Sequence, residues 1–250
     1  MLELFHWEPN GDSAKVLICL KEKGEEFKSH YVDILNFEQY EKGYLKLAPL
    51  GQVPVLAHDG QVFNEPRLLL EYLEDAFPAP RLAASDAAGW YDVQEWIRYA
   101  DAQLGSSVNL VGWHTAMLPA MGGKQRKEFE ERLAHVPVKE QQAGWAAVVR
   151  DAESTEDKLE NARGKVREAV ARMESTLATS SWLVESAYSI ADIGAFAIAQ
   201  ALPQLLPAEV NAQKAPKVMD WLQRISARPA VKAALAMRRD ASRPFSFMPA

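Results

Sequence analysis

The chain has 250 residues, of which 48% are hydrophobic and 25% are charged, so it can bury one large core or two small ones. Its formal net charge of −6 and its pI near 5.5 argue against nucleic acid or an anionic membrane as a partner. Its single cysteine, Cys19, excludes a disulfide framework within the chain and fits a reducing cytoplasm.

The start of the chain shows no export signal. A strand pattern follows Met1 directly, without a charged and then apolar signal region. No apolar stretch reaches the roughly 20 residues that a membrane-spanning helix needs. We therefore expect a cytoplasmic protein.

The first part of the chain predicts a small α/β fold. Hydrophobic periodicity and turn residues predict, in order, strand 2–7, helix 14–23, strand 27–32, helix 38–47, strand 53–58, strand 61–63 and helix 65–76. Ser13 is a suitable N-cap for the first helix, and Gly24 is suited to end it. Asp59-Gly60 is a strong two-residue hairpin signal between the last two strands.

Pro54 is the residue that relates this order of elements to a particular fold. Proline has no backbone N–H and is excluded from central strands, so we expect Pro54 at the first position of its strand. A cis bond before it would turn the N–H and C=O of Val53 outward, where an extended peptide could pair with them. An ordinary proline at a strand start is the alternative. The order β-α-β-α-β-β-α with this proline is the thioredoxin-like layout.

Beyond residue 77 the strand signals disappear, which predicts two domains. We expect an α/β domain at 1–77, a proline- and alanine-rich linker at 78–86 and an all-α domain at 87–250. The predicted helices of the second domain are 87–111, 124–133, 151–165 leading into 166–177, 191–202 and 217–227. Ser189 and Asp192 form a capping box at the start of helix 191–202.

Several of these segments resemble a known family. Gly51 to Leu56, Asp59-Gly60 and the helix that Glu65 opens resemble the glutathione-binding half of a glutathione transferase. Tyr188 to Ile193 resembles the capping-box segment of that family's helical half, and Pro216 to Val231 resembles its last long helix. The resemblance covers nearly the whole chain. It implies the glutathione transferase fold, a thioredoxin-like βαβαββα domain followed by a C-terminal helical bundle.

Within that superfamily the chain resembles the bacterial lignin β-etherases. Phe37-Glu38-Gln39, and Val136 to Gln142 followed by Trp145, carry this closer resemblance. It implies that a glutathione thiolate, as co-substrate, displaces a phenol from a lignin-derived β-aryl ether ketone. It also implies a homodimer, or a heterodimer with a related transferase chain.

The resemblance implies a role for each of a small set of residues. Ser13 would hold the glutathione sulfur, because a hydroxyl and the positive end of a helix both favour a thiolate. The alternative is that Ser13 only caps the helix. The backbone of Val53 would pair with the tripeptide as an added strand does. The other residues implied at the peptide are Gln39, Gln52, Pro54, Glu65 and Pro66, and the two glutamines could equally be ordinary exposed side chains.

Pro66 departs from the family pattern. The family usually has Glu-Ser where this chain has Glu65-Pro66, and the serine hydroxyl and N–H receive the γ-glutamyl carboxylate. Proline supplies neither donor, although it is well tolerated in the first turn of a helix. We therefore expect the fold to be unaffected and the glutathione site to be weakened.

Aromatic and sulfur-containing side chains supply candidates for the second substrate. The residues expected to face an aromatic ligand are Trp7, Trp113, His114 and Met117. For each tryptophan the alternative is a contact in the core or between subunits. The five histidines show no metal-ligand spacing, so no metal is predicted. Cys19, without a partner cysteine at a helix start, is predicted to be a small buried side chain.

Three functions remain open from the sequence. The first is a glutathione transferase of the β-etherase type. The second is a non-catalytic structural subunit of a heterodimeric β-etherase, which Pro66 favours and Ser13 opposes. The third is a general detoxifying glutathione transferase.

Overall fold

The computed structural model describes residues 1–84, 86–121, 123–152, 156–184 and 187–238, without the side chains of Arg67, Lys124, Asp151 and Ala152. The strands in these ranges are β1 Leu2–His6, β2 Lys28–Tyr31, β3 Val55–His58 and β4 Gln61–Phe63. The α-helices of the first part are α1 Gly11–Lys23 and α2 Leu69–Ala76. Those that follow are α3 Ala87–Tyr99, α4 Ser106–Gly112, α5 Leu118–Ala120, α6 Gly123–Ala134, α7 Lys139–Ala152, α8 Glu156–Thr179, α9 Ile190–Ala199, α10 Leu202–Leu205, α11 Pro216–Ala227 and α12 Pro229–Leu235.

The strands form one mixed sheet in the order β2-β1-β3-β4. β1 runs parallel to β2 and antiparallel to β3, with Leu4 opposite Leu56. β3 and β4 form the predicted hairpin, in which Asp59 and Gly60 have φ of 49° and 86°. These positive values are what the two central residues of a type I′ turn require. The thioredoxin-like sheet followed by a helical part confirms the predicted fold class.

Pro54 lies directly before β3, because pairing with β1 begins at Val55, opposite Phe5. The peptide bond between Val53 and Pro54 is cis. The strand therefore begins two residues later than predicted, and the proline precedes the hydrogen-bonded ladder.

The N-cap of α1 differs from the prediction. The helix begins at Gly11 with Asn10 as N-cap, and the Ala14 N–H donates to the Asn10 carbonyl at 3.2 Å. Ser13 is therefore not the cap but a residue of the first turn. Gly24, with φ of 74°, ends the helix as predicted.

The predicted helix at 38–47 was wrong. Two short 3-10 turns, Glu38–Tyr40 and Tyr44–Lys46, stand in its place. The Glu38 carboxylate accepts the Asp33 N–H at 2.7 Å, and Phe37 adopts a left-handed conformation with φ of 60°. Glu41 is extended and separates the two turns. Side chains bonded to nearby backbone thus compete with the helix ladder.

The regular secondary structure in the described ranges of the second part of the chain is helical. A helical run extends from Ala87 to Ala120, beyond the predicted 87–111, because π-helical segments Ala100–Gly105 and Trp113–Met117 join α3, α4 and α5. The predicted stretch 151–177 divides between the end of α7 and α8, with 153–155 outside the described residues. No helix in the described part is long and apolar enough to cross a membrane.

The linker is tied to both halves. Glu74 of α2 forms an ion pair with Lys23 of α1 and accepts the Leu82 N–H at 3.1 Å, while Lys23 donates to the Pro80 carbonyl at 3.0 Å. The Leu82 carbonyl in turn accepts the N–H of Ile190 at 2.7 Å. One hydrophobic cluster runs from the sheet through α1 into the helical part. Because these contacts run continuously across the linker, the division into domains at 1–77 and 87–250 stays a proposal.

The core around α1 also confirms one prediction about a single residue. Cys19 is fully buried, and burial raises the pKa of its thiol to about 12. The thiol is therefore protonated at neutral pH and acts as a small apolar side chain.

A buried carboxylate organises the helical half. The predicted capping box is present, with the Ser189 Oγ accepting the Ala191 N–H at 3.2 Å and Asp192 accepting the Ser189 N–H at 3.0 Å. Asp192 also accepts the Leu183 N–H at 3.1 Å and the indole N–H of Trp221 at 2.8 Å. Burial raises the pKa of Asp192 to about 6, against the lowering effect of these donors. Asp192 thus joins the start of α9 to α11.

We predict that Asp192→Ala lowers the free energy of unfolding by roughly 3 kcal/mol, because buried donors lose their acceptor. Urea unfolding of the purified variant measures this. The control is Asp220→Ala, which removes an exposed carboxylate paired with Arg224 and should change stability by less than about 0.5 kcal/mol. A loss below about 1 kcal/mol for Asp192→Ala would contradict the role of this network.

Candidate functional site

Ser13 lies at the junction of β1 and α1. It is buried in the first turn of the helix, and its Oγ accepts the backbone N–H of Trp7 at 3.1 Å. A hydroxyl oxygen that accepts one bond keeps its own hydrogen to donate. At a helix N-terminus, such a donor and the helix dipole both favour an anion. Ser13 is therefore placed to bind a negatively charged atom.

The loop that precedes Ser13 is fixed by contacts with the sheet and with α9. The Trp7 ring is buried, with its centroid 5.4 Å from that of Tyr31. The Tyr31 hydroxyl donates to the buried carboxylate of Glu8. The Gln200 side chain reaches the Pro9 carbonyl at 3.4 Å. Trp7 thus lies beside Ser13, in a loop held by several contacts.

The charge of Asp12, next to Ser13, is offset by Lys15. The Lys15 ammonium lies 2.8 Å from Asp12 and 2.5 Å from Asp101, and its side chain is only 4% exposed. Burial by itself lowers the pKa of Lys15, but the two carboxylates outweigh burial and raise it above the ordinary value. Lys15 stays charged, so the repulsion that Asp12 would exert on an anion at Ser13 is reduced. The sequence prediction had not identified this lysine, although its spacing from Asp12 puts both on one helix face.

The Gly51–Pro54 segment has a backbone that requires glycine at its start. Gly51 has φ of 68°, and an added Cβ would lie 2.4 Å from Cε1 of Tyr40. The Tyr44 hydroxyl donates to the Gln52 carbonyl at 2.7 Å. Val53 is partly buried and precedes the cis bond. The segment is thus held from two sides by tyrosines.

Gln39 and Gln52 each present a buried amide oxygen near this segment. Gln39 is only 2% exposed, so the alternative of an ordinary exposed glutamine is wrong for it. Its Nε2 donates to the Ile34 carbonyl at 3.3 Å. Neither Oε1 has a hydrogen-bond donor among the described residues. Since buried polar atoms are nearly always paired, these oxygens are candidates to receive N–H groups of a ligand.

Glu65 and Pro66 stand at the entrance to α2. The predicted helix start at 65 was early, since Pro66–Leu68 forms a 3-10 turn and the α-helix begins at Leu69. The Leu68 N–H donates to the Glu65 carbonyl at 3.0 Å. Pro66 fits the first position of this turn, where a missing N–H costs little. The fold is thus compatible with proline here, as expected.

The aromatic cluster is the set of apolar side chains that joins the 3-10 turns to the helical half. It includes Phe37, Tyr40, Trp113, Met117, Phe129 and Trp145. Trp113 and Met117, predicted to face an aromatic ligand, are both 6% exposed within it. His114, next to them on the same π segment, is half-buried. Trp7 is outside this cluster. The structure therefore brings Trp113 and Met117 together with the 3-10 turn that carries Gln39.

No group of three or more His, Cys, Asp or Glu side chains with a metal-binding arrangement occurs among the described residues. The chemistry that the site supports is the binding of an anion at Ser13, of an extended polar chain along Gly51–Pro54, and of an apolar group near the aromatic cluster.

Comparison with protein families gives two matches along the chain. The model of the "Glutathione S-transferase, N-terminal domain" matches residues 13–76, and that of the "Glutathione S-transferase, C-terminal domain" matches residues 138–229.

Individual proteins agree with these matches. "Protein LigF" of Sphingobium sp. (strain NBRC 103272 / SYK-6) is 37% identical over 237 residues, which cover 92% of this chain and 91% of that protein. The crystal structure of beta-etherase LigF superposes with a TM-score of 0.84 at 36% identity, over 94% of this chain and 98% of that one. A glutathione transferase family member from Pseudomonas fluorescens, crystallised with two glutathione bound, has a TM-score of 0.71 at 21% identity and covers 94% and 92% of the two chains. The last similarity concerns the fold alone.

Proposed function

The chain belongs to the glutathione S-transferase family, and we propose that it is a glutathione-dependent β-etherase. The observation that carries the proposal is a relative 37% identical over 92% of this chain, whose crystal structure is that of a beta-etherase. The substrate class is a lignin-derived β-aryl ether ketone, with glutathione as co-substrate. The Ser13 site and the aromatic cluster supply what such a pair of substrates needs.

The proposed reaction is a displacement at carbon. The glutathione thiolate forms a bond to the carbon that bears the aryl ether, next to the ketone. The bond from that carbon to the ether oxygen breaks, and the phenolate leaves. It takes up a proton from the solvent, which balances the proton that glutathione lost on forming the thiolate. The rate depends on the fraction of thiolate, on the alignment of sulfur with the leaving oxygen and on the exclusion of water.

We assign the stabilisation of the thiolate to Ser13. Its hydroxyl would donate to the sulfur while its Oγ accepts the Trp7 N–H. A free cysteine thiol has a pKa of about 8.5, so a downward shift of one unit greatly increases the thiolate fraction at neutral pH. The Lys15 ammonium supports this by offsetting the charge of Asp12.

The tripeptide would lie along the Gly51–Pro54 segment. The backbone of Val53 pairs with the cysteinyl part, as an added strand does. The amide oxygens of Gln39 and Gln52 accept N–H groups of the peptide, and Glu65 lies near its γ-glutamyl end. The aromatic substrate would then lie between Trp7 and the part of the helical half that carries Trp113, His114 and Met117.

We predict that Ser13→Ala lowers kcat/KM for phenol release by about 100-fold, because a donor to the reacting anion is lost. Glutathione affinity should change by less than about 3-fold, since the peptide contacts remain. A chromatographic assay of the released phenol and calorimetric titration measure the two quantities. Ser226→Ala, on α11, is the matched control. A wild-type rate in Ser13→Ala would contradict the assignment.

We predict that Pro66→Ser tightens glutathione binding about 10-fold, because a hydroxyl and an N–H become available to a carboxylate and each such bond is worth about 1.5–3 kcal/mol before losses to water. Titration calorimetry of both proteins with glutathione measures this. Pro216→Ser, the same exchange at the start of α11, is the control and should leave the affinity unchanged.

Two outcomes of this titration would change the role that we propose for Pro66. Equal affinity of wild type and Pro66→Ser would mean that the carboxylate binds elsewhere. Binding by Pro66→Ser alone would favour the non-catalytic subunit of a heterodimer, the function that Pro66 suggests.

We also propose that the chain pairs with a second transferase chain through the surface beside β4. The large apolar side chains exposed in the described part include Leu50, Val62, Leu68 and Tyr91. Three of them lie within residues 50–68, around a strand at the edge of the sheet. Exposed apolar groups and a sheet edge are typical of interaction surfaces.

We predict that Leu68→Glu converts a dimer into a monomer, because a charge would be buried in the interface without a partner. Size-exclusion chromatography with light scattering measures the mass. Gln204→Glu, which adds the same charge to an exposed position on α10, is the control. A dimer that persists in Leu68→Glu would exclude this surface.

A further inference from the structure

A hydrogen bond joins the two halves of the chain beside the proposed site. The indole N–H of Trp145, on α7, donates to the hydroxyl of Tyr40 at 3.0 Å, across 105 residues of sequence. Tyr40 is the last residue of the 3-10 turn Glu38–Tyr40 and is buried, whereas Trp145 is half-buried. Burial raises the pKa of the Tyr40 hydroxyl, which therefore stays protonated and neutral at physiological pH.

The Tyr40 ring is in direct contact with the proposed glutathione segment. A Cβ on Gly51 would lie 2.4 Å from Cε1 and 2.7 Å from Cδ1 of this ring. The backbone at Gly51 therefore packs against the face or edge of Tyr40 without room for any side chain. Gln39, which presents a buried amide oxygen, is the preceding residue. A shift of the Tyr40 ring would move the start of the Gly51–Pro54 segment.

The Trp145 indole contacts the other members of the aromatic cluster. Its centroid lies 5.8 Å from that of Trp113 and 5.9 Å from that of Phe37, in edge-to-face arrangements. The turn before α7 is held as well, since the Gln142 Nε2 donates to the Leu133 and Ala134 carbonyls at 3.0 and 2.7 Å. Trp145 therefore has a fixed position relative to Trp113, which is proposed to face the aromatic substrate.

We propose that Tyr40 and Trp145 are positioning residues for the displacement. Their hydrogen bond links the Gly51–Pro54 segment, which packs on the Tyr40 ring, to Trp113, which packs on the Trp145 indole. Neither side chain touches the reacting atoms; they act through Gly51 and Trp113. This inference rests on the proposed function, because it concerns the alignment of its two substrates.

A contact of this kind affects the rate through the alignment of the two substrates. A displacement requires the sulfur to lie close to the carbon and in line with the leaving oxygen, and small errors in position are costly in rate. If each substrate keeps its own contacts, loss of the bond between the two parts of the site lowers kcat and leaves KM nearly unchanged. A purely structural contact would instead lower stability and leave the rate per folded molecule unchanged.

The experiment uses Tyr40→Phe, Trp145→Phe and the double variant in the full chain. Tyr40→Phe keeps the ring that packs on Gly51 and removes the acceptor. We expect kcat for phenol release to fall about 10-fold in each single variant, with both KM values within about 2-fold of wild type. We expect the double variant to be no slower than either single variant, because all three lack the same bond.

Tyr72→Phe is the matched control. Tyr72 lies on α2, and the substitution removes a hydroxyl that is hydrogen-bonded to the Nδ1 of His58 at 2.7 Å. It should leave kcat unchanged. Thermal unfolding of every variant, measured in parallel, corrects each rate for the folded fraction.

The outcomes separate this inference from the proposed function. A wild-type kcat in Tyr40→Phe, or additive losses in the double variant, would overturn the positioning role while aryl ether cleavage by the wild type stands. A wild-type chain that binds glutathione but cleaves no aryl ether would overturn both.

Discussion

α1 packs against the fully buried helix α9 and shares one hydrophobic cluster with residues of the sheet, and these contacts determine where Ser13 lies. The first turn of α1 carries Ser13, so a movement of the helix also moves the Ser13 hydroxyl. α9 is held in turn by Asp192, whose buried carboxylate collects donors from the loop before it and from Trp221 on α11. A buried carboxylate is stable only when its oxygens are satisfied. The helical half therefore contributes to the position of Ser13 in the α/β half.

Polar contacts between the two halves surround the same helix. Lys15 reaches Asp101, and Glu22, near the end of α1, forms a bidentate pair with Arg228 at 2.6 and 2.8 Å. The Trp145 bond to Tyr40 makes a third connection on the side of the 3-10 turns. Such pairs cost desolvation and are weak sources of stability, but they fix one relative placement of the parts that they join. The two-substrate displacement that we propose would need a fixed placement of this kind, because the proposed contacts of its substrates come from both halves.

The sequence predicted correctly those features that a few neighbouring residues determine. The Asp59-Gly60 turn and the Ser189–Asp192 capping box each depend on a few neighbouring residues, and both are present. The helix at 38–47 was wrong because the extended backbone of Glu41 divides the segment into two 3-10 turns, the first of which is held by the bond from the Asp33 N–H to the Glu38 carboxylate. Ser13 was misplaced as a cap because the helix begins at Gly11, three residues before the predicted start, with Asn10 at the N-cap position and no side-chain hydrogen bond from it.

Contacts between distant residues left no such signal. The Tyr40–Trp145 bond spans 105 residues, and the Lys15–Asp101 pair depends on a π segment that periodicity does not reveal. For the same reason, the sequence did not reveal that the Gln39 side chain is buried. The 3-10 turn that carries it is covered by the aromatic cluster. The family resemblance supplied the proposed site residues, whereas their geometry depends on tertiary packing.

The proposed function depends on stabilisation of the glutathione thiolate by Ser13 and the start of α1. Ultraviolet difference spectroscopy of glutathione bound to the full chain, recorded across a pH series, measures the pKa of the bound thiol directly. We expect the bound thiol in the wild type to have a pKa at least about one unit below the roughly 8.5 of a free cysteine thiol. In Ser13→Ala we expect its pKa to return toward that of the free thiol. A bound thiol with the same pKa as free glutathione in the wild type would contradict it.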